Sequence, residues 1–126
     1  MDFLLELFKY KDDIIKHTME LVRIPSELVE NEEYNGTVYR FGYQNKLALD
    51  YFLKLAESLG FETKNIEDVC GHVEFGGSDN DEIFACLCHL DVVPAIGNWK
   101  NPPYEPWIED GKIYGRGTQD DKGPAV

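Results

Sequence analysis

Cysteine is scarce in this chain. There are three, Cys70, Cys86 and Cys88, an odd number that cannot all pair within 126 residues. At most one disulfide could form within it, and the spacing is not that of a zinc ribbon. No leader segment is expected in the first residues, because Asp2 and Glu6 interrupt the first apolar run and no small-residue cleavage site follows it. No apolar stretch approaches the roughly 20 residues that cross a bilayer. These absences lead us to expect free thiols in the cytoplasm and no membrane partner. Basic residues are few as well: 12 Lys and Arg stand against 24 Asp and Glu, for a formal charge of −12. Such a chain repels phosphate backbones, so no nucleic-acid partner is expected. Internal repeats, low-complexity tracts and a phosphate-loop Gly-Lys-Ser/Thr are absent too.

What is present is the composition of a folded domain, 43% hydrophobic and 13% aromatic. Apolar residues Leu4, Leu7, Phe8, Ile14, Ile15, Leu21 and Val22 recur at helical spacing, predicting one amphipathic helix from about Phe3 to Val22 that ends before Pro25. Residues 26–42 are polar and aperiodic and read as a long surface loop. A second helix is predicted from Lys46 to Leu59, with Asn45 as N-cap, Gly60 beyond its end, and a stripe of Leu47, Ala48, Tyr51, Phe52, Leu55, Ala56 and Leu59. Strands are expected at 61–66 and 72–75, a turn at Gly76–Asp81, and a hairpin around Glu109-Asp110-Gly111. Ile83 to Leu90 is apolar at nearly every position, as befits a central strand covered on both faces. Alternating helices and strands, with another helix starting near the C-terminus, give an α/β layered domain.

Chemistry concentrates in two places. His89 and Asp91 lie two apart, so in an extended chain they share a face. A carboxylate there can accept the imidazole Nδ1–H and leave Nε2 aimed at a metal. A core histidine hydrogen-bonded to a neighbouring aspartate has the same spacing. In a regular strand Cys86 and Cys88 face the other way and read as inert buried thiols. The second place is Asp120-Asp121, after Gly115-Arg116-Gly117 and before Lys122-Gly123-Pro124. Adjacent carboxylates repel and commonly accompany a cation; a solvated acidic loop with Lys122 as counter-ion is the alternative. Arg116 and Lys122 read as holding this loop in shape. The acidic run Asp79 to Glu82 does not have calcium-loop spacing and reads as a solvated turn. His17 and His72 read as structural or exposed.

Together, His89-Leu90-Asp91-Val92-Val93-Pro94 and Gly115-Arg116-Gly117-Thr118-Gln119-Asp120-Asp121-Lys122-Gly123 resemble the paired signatures of metallopeptidase family M20. Trp99, Pro102-Pro103, Pro106 and Asp110-Gly111-Lys112-Ile113-Tyr114 between them are similar to the family as well, and the PepV-like dipeptidase branch is nearest in flavour. Leu21-Val22-Arg23-Ile24-Pro25-Ser26 and Gly71-His72-Val73-Glu74 add weaker matches.

The resemblance implies a layered αβα zinc-exopeptidase-type catalytic domain with a central mixed sheet, of which residues 1–126 would be the N-terminal part. It implies two divalent metal ions, zinc first, with manganese or cobalt as alternatives. His89 would ligate one metal, Asp120 would bridge both, Asp91 would be the catalytic-site carboxylate that orients His89, and the peptide after Asp120 would be cis. The general base, one of a downstream Glu-Glu pair, the other ligands and a second domain would lie outside these residues, leaving the piece inactive alone. The implied substrate is a short peptide. A deacylase or carboxypeptidase acting on N-acyl amino acids would use the same motifs. A short non-catalytic protein that binds a partner is a reading of another class. Self-association through an exposed core face is a further expectation.

Overall fold

The computed structural model describes residues 2–77 and 82–126. Of the turn expected at Gly76–Asp81, residues 78–81 lie outside the described residues, as does most of the acidic run.

The helix expected over Phe3 to Val22 is two helices, α1 (Phe3–Phe8) and α2 (Lys11–Val22), separated at Lys9-Tyr10. Asp2 caps α1 by accepting from the Leu4 N–H at 3.1 Å. The apolar residues of α1 surround its axis and all stay exposed, so no packing holds it in line with α2. Only α2 has a face to bury, with Thr18, Leu21 and Val22 beneath it. Pro25 lies just beyond its end, as expected.

The segment 26–42, read as loop, contains a hairpin: β1 (Glu32–Tyr34) pairs antiparallel with β2 (Thr37–Tyr39). Asn35 and Gly36 turn it with φ of 50° and 77°. Asn-Gly is a strong two-residue hairpin signal, because both residues tolerate positive φ. The acidic surroundings concealed it. Glu32 then accepts from the Tyr43 N–H at 2.7 Å, serving the open end of α3 (Tyr43–Ser58). Helix α3 thus begins three residues before Lys46. Asn45 is inside it, and its amide donates to the Glu27 and Phe41 carbonyls instead of capping. Gly60 takes the expected left-handed conformation, φ 89°. The buried stripe is Ala48, Leu49, Leu53 and Ala56, turned from the one expected, and Leu59 is exposed. Leu49 and Leu53 pack on the next hairpin, where a Cβ at Gly71 would come within 2.8 Å of both leucines.

That hairpin is β3 (Glu62–Ile66) with β4 (Cys70–Glu74), and a third is β5 (Trp107–Glu109) with β6 (Lys112–Tyr114), turned by Asp110-Gly111 as expected. Helix α4 (Lys122–Ala125) follows. The described residues are thus mixed α and β, with three separate two-stranded sheets.

The central strand expected from Ile83 to Leu90 does not form. Ile83, Phe84 and Leu87 are 91%, 93% and 97% exposed, and no ladder includes this segment. A strand needs a neighbour for its N–H and C=O groups. Among the described residues, the pairing near it is one parallel bridge, Glu27 to Val92. No central mixed sheet exists among the described residues. Cys86 and Cys88, expected to be buried, are exposed for the same reason, and so is Cys70. All three are free thiols, as expected.

The tightest packing lies where α2 ends. Leu21, Val22, Ser26, Val92 and Lys122 are at most 3% exposed. Gly115 and Gly117 fit closely there: a Cβ on either would fall 2.9 Å from a Val22 or a Val92 methyl group. Burying Leu21 and Val22 contributes about 1.5–3 kcal/mol each. This small core lies directly beneath the residues singled out by chemistry.

Candidate metal centre

Two tethers bring His89 over this core. Ser26, fully buried, donates its hydroxyl to the Leu90 carbonyl at 2.5 Å, and its own carbonyl accepts from the Val92 N–H at 2.9 Å. Glu27 continues the attachment by accepting from the Ala95 N–H at 3.1 Å and from the Tyr104 hydroxyl. Burial first, then that carboxylate, pushes the Tyr104 pKa up. Sequence reading missed Ser26 and Glu27, for their partners are more than 60 residues away.

The loop carrying Asp120 is fixed from below. Lys122 is fully buried and donates to the Leu21 and Ile24 carbonyls at 3.0 and 2.6 Å, at the end of α2. A cation there meets the negative end of the helix. Burial pushes its pKa down to about 8, against the pull of the Asp91 charge. Lys122 thus holds the loop in shape, as expected. Arg116 does so too: its guanidinium lies 5.1 Å from the Trp99 ring centre and its backbone N–H donates to the Pro103 carbonyl at 2.8 Å. Gly123 is required by contact, since a Cβ there would sit 2.0 Å from the Thr118 carbonyl oxygen.

On this base the three predicted residues meet. His89 Nδ1 lies 3.1 Å from an Asp91 carboxylate oxygen and 3.1 Å from the Asp91 carbonyl. Its Nε2 lies 2.9 Å from Asp120 Oδ1. Burial lowers the His89 pKa and is the largest single influence. The Asp120 hydrogen bond and the contacts with Asp91 together outweigh it, so the net shift is upward. The Asp120–Asp121 peptide is cis. Asp121, given no role from sequence, accepts from the His89 N–H at 3.1 Å. The Cys88 thiol beside it is pushed up in pKa, by shielding first and then by the Asp121 charge.

Imidazole nitrogen and carboxylate oxygen are the donor types of zinc and manganese sites. Both donors face a cavity of about 180 Å³ that Arg116 and Gln119 also line. At 2.9 Å they stand closer than two ligands of one tetrahedral zinc, which lie about 3.4 Å apart for bonds near 2.1 Å. A modest opening would admit an ion between them. Among the described residues, no group of three or more His, Cys, Asp or Glu is arranged to hold a metal. The pair therefore fits a metal in donor type, and two donors are fewer than the four of a usual zinc site.

The other predicted histidines serve elsewhere. His17 Nδ1 lies 2.6 Å from the Tyr51 hydroxyl, which donates to Glu20 at 2.5 Å, and this joins α2 to α3. His72 is exposed.

Comparison with known proteins points the same way. Residues 85–126, which carry both motifs, match the sequence model of Peptidase family M20/M25/M40. Among curated proteins, the chain is 40% identical over all 126 residues to "Putative dipeptidase YtjP" of Bacillus subtilis (strain 168), covering 26% of that protein. It is 38% identical over 118 residues to "Putative dipeptidase SSP1012" of Staphylococcus saprophyticus, with 94% of this chain and 24% of the relative covered. The chain thus spans about a quarter of the length of these relatives.

Proposed function

We propose that this chain is part of an M20-type metal-dependent dipeptidase of the PepV-like branch, acting on short peptides in the cytoplasm. The observation that carries the reading is the His89 imidazole held between two carboxylates, Asp91 on Nδ1 and Asp120 on Nε2. It gains support from the family match over the same residues and from relatives named as dipeptidases.

In this reading His89 would hold one metal ion and Asp120 would serve both. Asp91 keeps the Nδ1 proton engaged, so that Nε2 presents its lone pair. Divalent ions bound there would supply Lewis acidity for the scissile carbonyl and for a water molecule. The 126 residues would form the N-terminal part of a layered αβα catalytic domain. Segment 83–90 would become a sheet strand there once paired. The general base and remaining ligands would belong to sequence beyond these residues, which accords with the quarter-length match.

The test is a zinc or manganese titration of the chain, followed by calorimetry. Weak binding is expected, lost in His89→Ala and in Asp120→Asn. Hydrolysis of dipeptides but not of N-acyl amino acids by the longer protein would complete the case. Unchanged metal affinity in both variants would overturn it, as would robust peptidase turnover by the 126 residues alone.

A further inference from the structure

The two adjacent aspartates touch the same histidine at different points. Asp120 meets the tip of the His89 side chain, and Asp121 meets its backbone N–H. That N–H lies in a segment without ladder hydrogen bonds, so no sheet neighbour fixes it. Immediately beyond, Ser26 fixes the Leu90 carbonyl and the Val92 N–H. The main chain at His89 is thus held on one side by Ser26 and on the other by Asp121. The turn bearing Asp121 is itself anchored to the end of α2 through buried Lys122.

We infer that Asp121 is a positioning residue: its carboxylate fixes the His89 backbone so that the imidazole stays between Asp91 and Asp120, and it does not itself ligate metal. The inference rests on the metal-centre reading above and gives the second aspartate a task distinct from the first. One Asp121 oxygen is already occupied by a backbone donor. A backbone N–H needs only an acceptor, whereas a metal ligand needs charge. Asparagine can replace the carboxylate in the first task and serves poorly in the second.

The experiment uses the ¹⁵N-labelled chain with three single variants, Asp121→Ala, Asp121→Asn and Asp120→Asn. Circular dichroism checks that each is folded. Two quantities are read: the His89 amide resonance without metal, and the affinity for Zn²⁺. Asp121→Ala should move the His89 amide upfield and weaken zinc binding by about 10- to 100-fold, the range for residues that orient a ligand. Asp121→Asn should restore most of both. Asp120→Asn should abolish zinc binding and leave the His89 amide near its original position. If Asp121→Asn loses zinc as completely as Asp120→Asn does, Asp121 is a ligand and the inference is wrong. If Asp121→Ala leaves the His89 amide unmoved, the inference is wrong whatever the metal does. Zinc affinity unchanged in Asp120→Asn would instead sink the metal-centre reading, and the positioning role with it. Should Asp121→Ala fail to fold, Asp121→Glu against Asp121→Asn decides between charge and acceptor geometry.

Discussion

At the scale of single residues, the site depends on a few contacts that tolerate no added atoms. Gly123 is the extreme case, where an added Cβ would meet the Thr118 carbonyl oxygen. Gly123→Ala should destabilise the chain by about 1–3 kcal/mol or more, because backbone must move to accept the methyl group. A fall in thermal midpoint, read by circular dichroism, checks this. Gly36→Ala gives a useful comparison: a Cβ there meets nothing within 4 Å, so only its positive φ opposes the change. Contacts among His89, Asp91 and Asp120 were partly legible in the sequence. The two-residue spacing put Asp91 beside the imidazole, and the paired motifs singled out Asp120. The Asp121 contact was not legible, since an adjacent aspartate offers no sign of which carboxylate faces which atom. Nor was the depth of Lys122. A lysine in an acidic loop reads as a counter-ion, and only its distance from α2 in the fold turns it into a buried cation.

At the scale of elements, local chemistry succeeded where a turn carried its own instruction. Asp110-Gly111, Gly60 and Asn35-Gly36 all behave as their residue types require, the last pair amid acidic surroundings that masked its signal. Periodicity worked less well. It joined α1 to α2 across Lys9-Tyr10, since apolar spacing cannot tell a buried face from an exposed one. It also predicted a strand at 83–90, where composition favours extension but pairing depends on a partner elsewhere. Between α2 and α3 the clasp of His17, Tyr51 and Glu20 has a pH signature. Its Tyr51 hydrogen bond holds the Glu20 pKa below the ordinary 4.5. That contribution is whole above pH 4.5 and is lost as pH falls through the lowered value. Burial, then Glu20, raises the Tyr51 pKa above its ordinary 10.0, so its contribution is whole below that pH and is lost as pH rises through the raised value. Tyr51→Phe should cost about 1 kcal/mol near neutrality, a modest figure because Glu20 is partly exposed. The difference from the parent chain should shrink at both ends. Thermal midpoints from pH 3 to 11 test the shape.

At the scale of the whole molecule, apolar surface and charge oppose each other. Ile83, Phe84, Leu87 and Ile96 are each at least 84% exposed, and a cavity of about 480 Å³ opens beside Leu87 among Leu49, Phe52, Leu53 and Val73. Exposed apolar surface favours association, while a formal charge of −12 resists it. Salt should decide between them, since about 0.5 M shortens the screening length to below the 8 Å of physiological solution. Light scattering should show self-association that rises with protein concentration and with salt. The double variant Phe84→Lys/Leu87→Lys should suppress it. A salt-independent monomer at high concentration would contradict this balance.

The contact between Arg116 and Trp99 makes the chain its own optical probe. The guanidinium lies 5.1 Å from the ring centre of one of only two tryptophans, and the other, Trp107, stacks on Tyr114. Because Arg116 also lines the cavity beside His89 and Asp120, any displacement of its charge alters the electric field across the indole and hence the colour of its emission. In a Trp107→Phe background, the fluorescence spectrum becomes a label-free record of what enters that cavity.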